Sequence, residues 1–322
     1  MQPTHATLLF LDWDSTLTTA STLPFIASAL TYPETPPAWG ELGRAYGEDM
    51  ARYQGDKGER GERGGWEREK GILDSTKPIE AASLSRVASS GIFAGVTRST
   101  LQNLAHRCIT DHAVTMRPGW KDLMEHTQAS WLAHRTGEVH IISVGWSEIF
   151  IQACLEVAGG GKGMVEEGGE GFVGVLANEV DGSGDGGVIA GSGGEGLMLT
   201  SGDKERVVRL LEKSYREQWK GSSVRVVSVY VGDSVTDLGG LMACDVGVCV
   251  REGEGRESGE QRELREMLER IGVEVRWIGE MKAEDLEGLE KRRMDDEEKK
   301  FMWWAKGLEE VVESPLYDNG SK

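Results

Sequence analysis

The feature that most constrains this chain is a short apolar run near its N-terminus that stops at two carboxylates. Residues 8–11 are all apolar, and Asp12-Trp13-Asp14 follows them directly. Such a run predicts a buried strand of a parallel sheet. Because open α/β sheets carry their chemistry at the carboxyl ends of their strands, Asp12 and Asp14 are candidate site residues. An isolated Asp-x-Asp, however, would more simply be a strand that enters a turn.

A second apolar run and a lysine follow later in the chain. Residues 139–142 end at Ser143, with Gly145 two positions further on. Lys204 stands near the start of a predicted helix, 204–211, which a Thr-x-x-Asp capping box precedes. Taken alone, Ser143 would be a helix cap and Lys204 a surface lysine.

A third apolar run, residues 226–231, ends in Gly-Asp-Ser-Val-Thr-Asp, which supplies Asp233 and Asp237. Taken alone, these carboxylates would be turn and cap residues. The ordered set Asp-x-Asp-x-Thr, Ser, Lys and Gly-Asp-Ser-x-x-Asp resembles the four motifs of the haloacid dehalogenase (HAD) superfamily. It is most similar to the phosphoserine-phosphatase-like branch, in which a helical cap lies between the first two motifs.

This resemblance implies an α/β fold, with a Rossmann-like parallel sheet flanked by helices and an inserted helical cap. We expect residues 1–18 and 119–280 to form the core domain and residues 19–118 to form the cap. Residues 281–322 are predicted to be a charged helical tail whose apolar face packs back on the core, with partner binding as the less favoured alternative.

The resemblance also implies the chemistry of a phosphoric monoester hydrolase. Asp12 would attack phosphorus and form an aspartyl-phosphate intermediate. Asp14 would protonate the leaving oxygen and then deprotonate the attacking water. Retention of an acid at position 14 favours phosphatase over dehalogenase chemistry, which needs none there.

A carboxylate attacks a phosphate dianion only if cations offset the repulsion, so a Mg²⁺ cofactor is expected. The implied metal-binding residues are Asp12, Asp14 (through its backbone carbonyl), Asp233 and Asp237, the last as a ligand or as support. The implied phosphate-binding residues are Ser143, Gly145 and Lys204.

Composition restricts the partners. The net charge of −18 and the isoelectric point near 4.9 argue against a nucleic-acid surface, which needs clustered Lys and Arg. The N-terminal apolar run is too short for a signal peptide or a membrane span. The four cysteines form no C-x-x-C pair, and a cytoplasmic location is the default expectation.

Several alternatives stay open from the sequence. The favoured function is a Mg²⁺-dependent phosphatase acting on a small phosphorylated metabolite, and the alternative is a catalytically silent HAD-fold protein that binds partners. Arg117 is either a contact for a second anionic group or, more simply, a solvated or helix-flanking arginine. Ser15 stands where the family often has glycine, so the substrate is not transferable from phosphoserine phosphatase.

Overall fold

The computed structural model describes residues 5–27, 39–57, 65–134, 137–160, 172–181, 188–191, 196–252, 257–287, 289 and 301–317. Within these residues the chain forms one eight-stranded sheet. The strands are β1 (His5–Leu11), β2 (Gly137–Trp146), β3 (Val173–Asp181), β4 (Val188–Gly191), β5 (Arg225–Gly232), β6 (Val246–Val250), β7 (Glu274–Trp277) and β8 (Phe301–Ala305).

Helices connect these strands. They are α1 (Leu23–Ala27), α2 (Trp39–Lys57), α3 (Trp66–Asp74), α4 (Lys77–Ser90), α5 (Arg98–Thr110), α6 (Trp120–His134), α7 (Glu148–Gly159), α8 (Ser201–Gln218), α9 (Leu238–Ala243), α10 (Gly259–Arg270), α11 (Ala283–Glu287) and α12 (Leu308–Val312). Among the described residues, no helix combines the length and the apolar character that a membrane crossing requires.

The sheet order is β4-β3-β2-β1-β5-β6-β8-β7, and all neighbouring strands are parallel except β3 and β4. β1 lies in the middle, paired with β2 on one side and β5 on the other. The ends of the three apolar runs singled out by the sequence therefore meet at one edge of the sheet. The α/β fold class, with a parallel sheet flanked by helices and a helical insert, is confirmed.

β1 is apolar from Leu8 to Leu11 because both faces of the strand are covered there. Leu9 and Leu11 belong to the apolar cluster that includes residues of α5, α6 and α7. Leu8 and Phe10 belong to a second cluster, on the side of α8, α9 and α10. Alternate residues of a strand point to opposite faces, so a strand with helices on both sides carries no polar face.

The inserted helices α1 to α5 leave and rejoin the core at one point. The backbone N–H of Thr19 donates to the carbonyl of Thr115 over 2.9 Å, and that of Arg117 donates to Leu17 over 2.7 Å. Thr18 and Met116 form the antiparallel bridge between them. The two ends of the insert are thus held side by side, next to the end of β1.

The C-terminal segment corrects one prediction. Residues 301–305, expected to be helical, form β8, which lies between β6 and β7 and is parallel to both. Met302 packs into one apolar cluster and Trp303 into the other, so the strand is covered on both faces as β1 is. Aromatic residues favour such a position in a sheet over a helix. The described residues from 301 on pack on the core as expected, whereas residues 288, 290–300 and 318–322 of the predicted tail lie outside the described residues.

Candidate active site

The chain leaves β1 through one irregular helical turn, Trp13–Leu17. Ser15 adopts φ 57°, ψ 0°, the left-handed region that glycine occupies at least cost. Ser15 therefore holds a backbone conformation that costs serine more than it would cost glycine. The Ser15 N–H donates to Thr18 Oγ1 over 3.2 Å, which closes the turn.

Lys204 lies at the centre of a buried cluster of charges. Its side chain is fully buried, and its Nζ lies 2.6 Å from Asp12 Oδ1 and 2.6 Å from Asp237 Oδ1. Lys204 is in the first turn of α8, so the start of that helix determines where the ammonium group lies. The structure therefore brings together three residues that the sequence places 192 and 33 positions apart.

Asp237 is bound on both of its oxygens. Oδ1 accepts from Lys204 and, over 2.9 Å, from the Tyr230 hydroxyl. Oδ2 accepts from the backbone N–H groups of Asp233 and Ser234, each over 3.0 Å. Of the two roles left open by the sequence, these contacts favour support of the site over direct metal binding.

Asp233 has one oxygen without a partner. Its Oδ1 accepts from the Thr16 hydroxyl over 3.1 Å, whereas its Oδ2 is buried and has no hydrogen-bond partner among the described residues. Asp12, Asp233 and Asp237 each offer one carboxylate oxygen, and these three atoms lie within 4.8 Å of one another. Unpaired buried carboxylate oxygens are ready ligands for a hard divalent cation.

The electrostatics of the cluster agree with this. Burial, together with the nearby negative charge of Asp237, raises the pKa of Asp12 to about 8, although Lys204 opposes the rise. Burial and repulsion from Asp237 and Asp12 raise the pKa of Asp233 to about 9. These carboxylates are costly to ionise together without a further cation, so the residues present could hold a metal ion.

Asp14 is oriented by a residue that the sequence did not single out. Its Oδ1 accepts from both the N–H and the hydroxyl of Thr22, over 2.6 and 2.7 Å. Burial raises the pKa of the Asp14 carboxyl, and the Thr22 hydrogen bonds oppose the rise. A carboxyl that holds its proton more strongly than usual suits a general acid. The role of the Asp14 backbone carbonyl as a metal ligand stays a prediction.

Ser143 and Gly145 lie on the other side of Asp14, at the end of β2. The Gly145 N–H donates to Ser143 Oγ over 3.0 Å. A Cβ atom at position 145 would lie 3.3 Å from Asp14 Oδ2 and 3.0 Å from Ser143 Oγ, so a larger residue would crowd both groups. Asn178 fixes this segment, because its amide nitrogen donates to the carbonyls of Val144 and Met198.

Arg117 is buried just before the start of α6, and its role as a contact for a second anionic group stays a prediction. It is 5% exposed, so it is not a solvated arginine. Its Nε donates to the carbonyl of Thr16 over 2.9 Å, and its guanidinium also donates to the carbonyl of Ser15 over 2.5 Å. Through these hydrogen bonds the guanidinium stabilises the turn after β1. Burial lowers the pKa of Arg117, and the charge of Asp233 opposes that effect.

No protein-family model matches the chain. A curated relative, the CTO1 family protein C17G9.12c of Schizosaccharomyces pombe, is 23% identical over 251 residues, which are 77% of this chain and 82% of the relative. The fold predicted from the motifs is HAD-like, and the solved structures similar to this chain include HAD hydrolases.

Three of these solved structures each match more than four fifths of this chain. The phospho-aspartyl intermediate analogue of phosphoserine phosphatase has a TM-score of 0.42 at 15% identity, over 83% of this chain and 99% of that one. An HAD family hydrolase of Salmonella enterica serovar Typhi has a TM-score of 0.44 at 16% identity, over 81% of this chain and 66% of that one. Cytosolic 5'-nucleotidase IIIB bound to cytidine has a TM-score of 0.48 at 13% identity, over 91% of this chain and 88% of that one. All three TM-scores are below 0.5, so the function proposed here depends on the site's own geometry.

Proposed function

We propose that this protein is a Mg²⁺-dependent phosphatase that hydrolyses a small phosphorylated metabolite through an aspartyl-phosphate intermediate. The observation that supports this most strongly is the buried cluster in which Lys204 binds Asp12 while Asp233 keeps an unpartnered oxygen. Such a cluster provides a nucleophile, a fixed positive charge and a place for a cation within one small volume.

The reaction follows from the roles of two carboxylates. With Oδ1 held by Lys204, Asp12 attacks phosphorus through Oδ2, an Oδ2–P bond forms, and the bond from phosphorus to the leaving oxygen breaks. Asp14 gives its proton to that leaving oxygen. In the second step Asp14 takes a proton from water, the water oxygen attacks phosphorus, and phosphate leaves with Asp12 restored.

The remaining groups bind the negative charge of the phosphoryl group. Lys204 and the N–H groups near Ser143 and Gly145 would bind its oxygens. Asp12, Asp233 and the Asp14 carbonyl would hold Mg²⁺, with Asp237 in support. When bound, the ion offsets the repulsion between the nucleophile and the phosphoryl oxygens.

The inserted segment, residues 19–118, is proposed to act as a cap that limits the substrate to a small metabolite. Trp39 of α2 and Phe93 after α4 pack edge-to-face on Trp146, with ring centroids 5.5 and 6.0 Å from it. Trp146 lies three residues after Ser143, so this aromatic contact joins the insert to the phosphate-binding end of β2. The core would then comprise residues 1–18 and 119–280 together with β8, which lies in the sheet between β6 and β7.

The test is phosphate release from a panel of phosphorylated metabolites, measured with Mg²⁺ and with EDTA. The wild type, Asp12→Asn and the control Asp111→Asn, which changes an exposed carboxylate at the end of α5, would be compared. We expect Mg²⁺-dependent release by the wild type and the control, and none by Asp12→Asn. Normal turnover in Asp12→Asn would refute the assignment of Asp12 as the nucleophile.

A catalytically silent protein is the competing function, and binding of a phosphoryl mimic distinguishes the two. Beryllofluoride with Mg²⁺ should bind the wild type and should fail to bind Asp12→Asn, because the mimic occupies the place of the phosphoryl group on Asp12. Absence of both release and beryllofluoride binding in a folded wild type would leave the silent protein as the better description.

A further inference from the structure

The inserted segment contacts the core at the helix turn that carries Lys204. The contact is made by the corner between α3 and α4, residues 74–77, which we call the α3–α4 corner. Trp66, at the start of α3, is buried in the same apolar cluster as Val207 and Val208 of α8. Apolar packing therefore holds α3 against the core, and the polar groups of the α3–α4 corner add to that contact.

Lys77 binds the residue just before Lys204. Its Nζ lies 2.5 Å from Asp203 Oδ1, and Asp203 is buried. Asp203 Oδ2 accepts from the backbone N–H groups of Leu199 and Thr200, over 3.1 and 3.2 Å, and forms the capping box of α8. One carboxylate therefore fixes the start of α8 and binds a cation from the insert.

Asp74 reaches the same turn. Its Oδ1 accepts from the Thr200 hydroxyl over 3.3 Å. A Cβ atom at Gly202 would overlap the Asp74 carboxylate, so the close approach depends on glycine at that position. Lys70 of α3 forms a further ion pair, with Glu205, at 2.7 Å. Residues 200, 203 and 205, which surround Lys204 in the sequence, are thus all held by the insert.

We infer that Lys77 and Asp74 of the α3–α4 corner are positioning residues, which fix the first turn of α8 so that Lys204 stays on Asp12. Electrostatics supports the inference as well as geometry. Lys204 has a buried carboxylate before it and another after it, and lysines of the insert neutralise both. Without Lys77, the buried Asp203 carboxylate would keep its backbone hydrogen bonds but lose the cation that offsets its charge, in the helix turn that carries Lys204.

This inference deepens the proposed function of the insert but can be tested without turnover. Lysines would be acetylated at trace level with acetic anhydride, and labelling of Lys204 would be measured by mass spectrometry relative to Lys220, which is exposed. A buried lysine in an ion pair reacts slowly. In Lys77→Met we expect Lys204 labelling to rise about fivefold, as for loss of one partly exposed ion pair. Lys77→Arg should keep the wild-type ratio.

Two further variants provide a control and a second test of the α3–α4 corner. Arg270→Met removes another ion pair between the insert and the core, that of Arg270 with Glu69 of α3, and should leave Lys204 labelling unchanged. Gly202→Ala improves helix propensity but displaces Asp74, so it should raise the labelling even if Lys77→Met fails to fold.

Unchanged Lys204 labelling in a folded Lys77→Met or Gly202→Ala protein would overturn the inference, as would an equal rise in Arg270→Met. The proposed function is tested separately, because the labelling contains no substrate. Raised labelling in a protein that neither releases phosphate nor binds beryllofluoride would retain the positioning role and reject the phosphatase.

Discussion

Addition of Mg²⁺ should stabilise the folded protein, and Asp233 should be necessary for that effect. The reason is the buried Asp233 Oδ2, which has no partner within the described part of the chain, and its proximity to Asp12. A ligand that binds only the folded state at 100 times its dissociation constant adds about 2.7 kcal/mol of stability. The 322 residues imply an unfolding entropy of about 0.7 kcal/mol/K, so Tm should rise by about 4 °C.

The rise in Tm on addition of Mg²⁺ should also depend on pH. The pKa values of Asp12 and Asp233 in the folded protein, about 8 and about 9, lie above the ordinary value of 3.8. The metal-free folded state therefore binds more protons than the unfolded chain, and its stability falls as pH increases from about 4 towards 9. Mg²⁺ competes with these protons, so its effect on Tm should be larger at about pH 8.5 than at about pH 6.

Thermal unfolding with and without Mg²⁺, at both pH values, provides the assay. Asp233→Asn keeps an oxygen for the Thr16 hydroxyl but removes the charge, so its metal-free Tm should equal or exceed that of the wild type. Its response to Mg²⁺ should be lost, whereas Asp111→Asn should respond as the wild type does. A full Mg²⁺ response in Asp233→Asn, or a larger response at the lower pH, would refute the assignment of the metal site.

Three further substitutions test other contacts. Lys204→Met leaves Asp12 and Asp237 without their buried cation and should reduce the free energy of unfolding in EDTA by about 3–5 kcal/mol, measured by urea denaturation at neutral pH. Arg117→Met frees the turn at Ser15 and Thr16, so kcat should fall more than KM rises; unchanged kcat would contradict this. Gly119→Ala, at φ +80° and against the Leu308–Glu309 backbone, should lower Tm, whereas Gly95→Ala, at φ +79° in open space, should lower it less.

The strands and the charged residues of the site could be predicted because each depends on a local pattern. An apolar run that stops at a carboxylate predicts both the strand and the edge at which the carboxylate lies, and this was correct for Asp12 and Asp233. The capping box before Lys204 was predicted for the same reason, since its two residues are three positions apart.

Thr22 and the structural role of Arg117 were not predicted, because both depend on contacts that no local pattern encodes. Thr22 donates to Asp14, and Arg117 donates to the carbonyl of Thr16. The Arg117 contact exists because the chain returns after the insert and places residue 117 beside residue 17. The strand β8 was predicted as helix because its aromatic residues were interpreted as one face of a helix. Its position between β6 and β7 depends on pairing with strands that lie some 25 and 50 residues away along the chain.

The place of β8 also determines when this sheet is completed during synthesis. β7 leaves the ribosome before β8, yet its partner in the sheet is β8 and not β6. Until residues 301–305 emerge, β6 presents an open edge with unpaired backbone groups, and such edges recruit other chains. A nascent chain of this protein would therefore expose the edge of β6 to other chains throughout the interval between synthesis of β7 and of β8.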